Sequence, residues 1–171
     1  MIISILVIAI LGTLLHFIYE ISKHNKVAAL FAAVNESTWE HIKIALTPTF
    51  LYGLYDGFIY GMNGNYFSAK LISLLIIIIV IPLLFYTYQL FTKKSYLVID
   101  IIIFYIAIIL AQVSFSYVIN LEEVTFFIKY ISCIGIFIVF GFYMVSTLLP
   151  SKNFLFKDPI SNKYGLKGHT H

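Results

Sequence analysis

Two short stretches of this chain concentrate side chains that hold protons and metals. The first is a helical stripe: at about 100° per residue, Thr13, His16, Glu20 and His24 fall in one narrow sector. The second is the run Asn35-Glu36-Ser37-Thr38-Trp39-Glu40-His41, followed by Lys43. Imidazole and carboxylate groups at i,i+4 spacing suit zinc, iron or manganese, so His16, Glu20, Glu36, Glu40 and His41 form a candidate set for a divalent metal. The same groups suit a proton relay or recognition of a charged solute, with Asn35, Trp39 and Lys43 completing the site. The pattern is loose, because there is no HExxH and no CxxC. His169 and His171, in a Gly-His-Thr-His sequence, read as a frayed end or an additional ligand pair.

Helix capping accounts for part of the second run. Ser37 as N-cap with Glu40 three residues on is a capping box, acidic groups suit a helix start, and Trp39 suits an aromatic belt. Capping leaves Glu36, His41 and Lys43 over. Further along, Thr47-Pro48-Thr49 predicts a kink with freed carbonyls. Gly53, Gly57 and Gly61 form a small-residue ridge for close helix packing, within the chain or in a homo-oligomer. Asp56 and Lys129 lie at similar depth near the opposite end and are expected to form an outer polar pair, as Asp100 is with Lys43. Cys133 has no adjacent base to make it a nucleophile.

The elements that position these residues follow from composition. Of 171 residues 61% are hydrophobic and 11% charged, against about 25% charged in soluble domains. Apolar runs such as 74–85 and 101–111 exceed what one small core can hide, so the lipid bilayer is the first partner. All eleven positive charges are lysine, which gives no support to nucleic-acid binding, and a single cysteine excludes a disulfide scaffold.

The fold class is therefore all-α, a polytopic integral membrane bundle. Five spans are expected, at 2–21, 38–61, 66–91, 95–119 and 124–149, making 1–149 one transmembrane bundle. No lysine precedes the first span and no small-residue cleavage site follows it, so it is read as retained rather than as a signal peptide. The stretch 27–34 is too short to cross and reads as interfacial or re-entrant. Lysines crowd the first connection, the third connection and the tail at 150–171. This bias places the N-terminus outside and a basic tail in the cytoplasm, held to anionic lipid or plugging the polar cluster.

Ala29-Leu30-Phe31, Val34-Asn35-Glu36-Ser37-x-Trp39-Glu40-His41-x-Lys43, the preceding His16, and the distant Asp158-Pro159 and Tyr164-Gly165 together carry a resemblance. The set resembles a family of small bacterial polytopic membrane proteins with a VNES-x-WEH-x-K signature and no assigned activity. The resemblance implies a membrane fold and that Asn35, Glu36, Trp39, Glu40 and His41 do more than cap. An isoleucine, lysine and asparagine bias without arginine fits an AT-rich bacterial genome, hence a bacterial cell membrane. Three functions fit the residues. One is a transporter or channel-like protein for an ion or small polar solute. The second is a membrane enzyme acting on lipid through Glu36 or Glu40 and His41 or His16. The third is a non-catalytic scaffold.

Overall fold

The structure, a computed structural model, describes residues 1–62 and 64–168. Asn63, part of the expected Asn63-Gly64-Asn65 turn, and the histidines at 169 and 171 lie outside the described residues. The elements are α1 (Ile2–Ile21), α2 (Lys26–Ala29), α3 (Thr38–Tyr60), α4 (Tyr66–Thr92), α5 (Leu97–Val118), α6 (Phe126–Leu148) and a 3-10 turn at Gly165–Lys167. Among the described residues the only β feature is an isolated bridge between Lys157 and Tyr164.

Four helices, α1, α4, α5 and α6, are long and apolar enough to cross a membrane. The expected fifth, α3, is long enough at 23 residues but carries Glu40, Lys43 and Asp56. Its composition differs because its surroundings differ. Fourteen of its residues are buried, against five in α1 and five in α6, so α3 meets protein where the others meet the outside. The outward faces of the other helices are apolar and exposed, as at Ile79, Leu83, Phe137 and Ile138, the pattern expected of a bundle solvated by lipid.

Pro48 sits inside α3, and the helix continues through it. A proline cannot donate to the carbonyl four residues back, so the Ile44 carbonyl loses its helical partner. α1 approaches that carbonyl at Gly12, where an added Cβ would lie 2.8 Å from the Ile44 oxygen and 2.6 Å from Cζ of Phe104. The first, third and fifth helices therefore meet at a point only glycine fits.

The far end is tied differently from expectation. Asp56 pairs with Lys70 of α4 at 2.7 Å, not with Lys129, and the Lys70 ammonium also lies 4.1 Å from the centre of the Phe115 ring. Lys129 instead pairs with Glu123 in the α5–α6 connection. Gly53 and Gly57 face Lys70, Tyr66 and Met62 of the same chain, so their ridge is occupied internally. Gly61 ends α3 in the left-handed conformation. The Asn65 side chain closes the α5–α6 connection: its amide faces the carbonyls of Val118, Leu121 and Glu122, and its oxygen accepts from the Val124 N–H.

Residues 150–168 are a folded part of the bundle rather than a loose basic tail. Phe156 and Asp158 are buried, and Asp158 closes a turn by accepting from the backbone of Ile160 and Ser161.

Candidate metal centre

The Gly12 crossing sets the site. His16 lies four residues beyond Gly12 on α1, and His41 lies three residues before Ile44 on α3. In antiparallel neighbours those offsets bring both rings to the same side of the crossing, with centroids 5.7 Å apart. Glu36 enters from the loop before α3. Its Oε1 is 3.6 Å from His16 Nε2 and its Oε2 is 3.7 Å from His41 Nε2. All three residues offer ligand atoms within 4.8 Å of one another.

His41 is oriented from behind. Its Nδ1 lies 3.0 Å from the Ser37 carbonyl, which only accepts, so Nδ1 carries a proton and Nε2 is the ring nitrogen on the Glu36 side. A carbonyl behind a ring nitrogen is the usual orienting contact of a metal-binding histidine. Both Glu36 distances exceed hydrogen-bond length, leaving room for a cation between carboxylate and rings. Tetrahedral bonds of about 2.0–2.1 Å give ligand separations of about 3.3–3.4 Å, so the three ligand atoms, within 4.8 Å of one another, would draw together to grip zinc.

The loop carrying Glu36 is fixed at both ends by residues expected to be ligands. Glu40 turns away from the histidines: its Oε2 takes the Lys43 ammonium at 2.6 Å and the Val34 N–H at 3.1 Å. Lys43 also donates to the Ala29 carbonyl at 2.7 Å and to Thr147 Oγ1 at 2.9 Å, which uses its three protons. Glu40 and Lys43 are thus a buried clamp on the 29–34 segment, and Lys43 does not meet Asp100. That segment packs Ala29, Ala32 and Val34 against Tyr19 of α1 and does not cross.

The capping box is only half formed. Ser37 Oγ accepts from the Glu40 N–H, but the Ser37 N–H is taken by Asn35 Oδ1 at 2.9 Å. The Asn35 amide donates to the Gly165 carbonyl at 2.9 Å, and a Cβ at Gly168 would come within 2.8 Å of it. Trp39 is buried rather than belted at a surface. Its ring packs on Phe156 and Phe142, and its backbone N–H donates to the Leu155 carbonyl. Asn35 and Trp39 therefore dock the 150–168 segment beside Glu36. α1 ends at Ile21, so His24 leaves the stripe and stacks near Tyr19 at 5.1 Å.

Three cavities adjoin the histidines. One of about 220 Å³ contains Glu20 and Asp158 beside His16 and Glu36. A second, about 260 Å³ and mostly apolar, runs between α1 and α5 past His16 and His41. The third, about 400 Å³, contains Glu36, His41 and Asp100. Asp100 reaches this wall because Tyr88 and Ser95 hold its two oxygens, at 2.5 and 2.6 Å. The sequence placed Asp100 near Lys43 but did not show Tyr88 and Ser95 as its partners, and the role of Gly12 was not visible. A glycine four residues before a histidine was the one available signal.

A family model covers residues 1–166. The chain belongs to the family of unknown function DUF6512. Neither the curated proteins nor the solved structures contain a significant match. The family model spans all three ligand positions and the docked 150–166 segment, so the whole site lies within it.

Proposed function

We propose that this chain is a five-span bundle in which His16, Glu36 and His41 hold a divalent transition metal, zinc by ligand type, for hydrolytic chemistry at the membrane surface. The observation that carries the reading is three acceptors facing one point, with His41 already oriented from behind. Two histidines and a glutamate make a ligand set by which catalytic zinc sites keep a fourth position open. When bound, the metal lowers the pKa of a coordinated water and polarises a carbonyl or phosphoryl oxygen. The chain's own residues orient and exclude: Ser37 fixes the His41 ring, the Glu40–Lys43 clamp holds the Glu36 loop, and Asp100 is the carboxylate available to take a proton from a molecule in the third cavity.

A conduit for solutes draws less support from the packing. Midway along the bundle Ile8, Leu46, Ile77 and Ile108 fill the interior, and the Asp56–Lys70 pair occupies the far end. The lysine bias supports placing the site at the cytoplasmic face of a bacterial membrane. Burial of α3 supports a fifth crossing, since its 23 residues rise about 35 Å against a hydrocarbon core of about 30 Å.

Elemental analysis of detergent-purified protein tests the reading. We expect about one zinc per chain, lost in Glu36→Gln and in His41→Gln but kept in Glu20→Gln, because only the first two remove converging acceptors. Folded wild type that carries no metal when produced and purified with zinc supplied would overturn it.

A further inference from the structure

The cavity between α1 and α5 shares His16 and His41 with the triad, and away from the rings it is lined by Ile44, Ile101, Phe104 and Tyr105. Phe104 and Tyr105 stand seven and eight residues into α5, about 11 Å along its axis, or roughly a third of a hydrocarbon core. The groove is bounded by Phe17, Leu97 and Ile101, all exposed on helices long and apolar enough to span. Away from the histidines and Asp100 its lining is mostly apolar, a surface that suits an apolar guest better than water. Its open side lies between two helices long and apolar enough to span, where lipid chains would be its neighbours.

We infer that the substrate is a membrane amphiphile whose alkyl chain lies between α1 and α5 and whose polar head meets the His16–Glu36–His41 site. The inference rests on the metal reading above and adds the substrate class. The groove and the third cavity share His41, Asp100 and Phe104, so a chain in one leads a head group into the other. The head is one that offers an ester, amide or phosphoester oxygen to the site, the chemistry that a Lewis acid polarises.

The test uses wild type in lipid nanodiscs with a tetradecyl hydroxamate bearing a mid-chain diazirine, and the same samples are analysed for metal. The expected result is photolabelling concentrated on residues 13–17 and 97–105, displaced by unlabelled tetradecyl hydroxamate and not by acetohydroxamate. Thr13→Trp and Ile101→Trp each add bulk to the groove wall, and neither replaces His16, Glu36 or His41. Each should cut that labelling by about tenfold or more at unchanged metal content, because the apolar contact is lost. Two variants guard against one failing to fold. Metal present with labelling spread evenly over the outward faces of α4 and α6 would overturn the groove alone. Wild type without metal would overturn the reading beneath it.

Discussion

At the scale of single residues, the two glutamates of the Glu36 to Glu40 run have opposite jobs, and their substitutions separate them. Glu36 is 42% exposed and Glu40 only 2%, with its partner Lys43 fully buried. Glu40→Gln strands the Lys43 charge, a loss of about 3–5 kcal/mol in known buried pairs, whereas Glu36→Gln should shift stability by under about 1 kcal/mol. Paired melting curves on the purified variants check this, and equal shifts would mean that the clamp does not hold. The sequence showed the cluster but not this division, because both glutamates sit near the same helix start and only the direction of each side chain tells them apart. The same ambiguity affected Asp56. Depth along a helix is legible in sequence, but rotation about its axis is set by packing, and Lys70 and Lys129 both lie near the right depth. We expect Asp56→Asn and Lys70→Met each to destabilise, with the double variant recovering part of the loss. Lys129→Met should cost little, since its partner Glu123 is 64% exposed.

Between elements, the decisive contact is Gly12 against the Ile44 carbonyl, to which Pro48 has no N–H to donate. The kink signal at Pro48 was readable from sequence, yet α3 remains one helix, and the proline's structural use lies in what its missing N–H frees. A side chain at Gly12 would strike backbone, which cannot rotate away, so α1 must move off α3. Gly12→Val is therefore expected to lower thermal stability and to cost metal binding, although it touches no ligand, because His16 travels with α1. Melting and metal stoichiometry on one preparation check this, and retained zinc at wild-type affinity would show that the crossing does not set the site.

For the molecule as a whole, four apolar spans and the membrane class were legible from hydropathy alone, while 38–61 was read as a fifth span and the burial of α3 among the other helices was not legible. If α3 crosses, the turn at Gly64 and the segment near Lys157 lie on opposite sides. With Cys133 replaced, a cysteine at Gly64 should react with an impermeant thiol reagent on intact cells, and one at Lys157 only after permeabilisation. Simultaneous labelling of both in intact cells would sink the topology. The Asn35 to Gly165 hydrogen bond joins positions about 130 residues apart, with every later span made between them. At about 5–20 residues per second of synthesis, that interval is on the order of ten seconds. During it the Glu36 loop lacks the neighbour that docks beside it. The chain is thus timed as well as shaped: His16, Glu36 and His41 are among the first polar groups to leave the ribosome, and the segment that docks beside them arrives after the last helix is made.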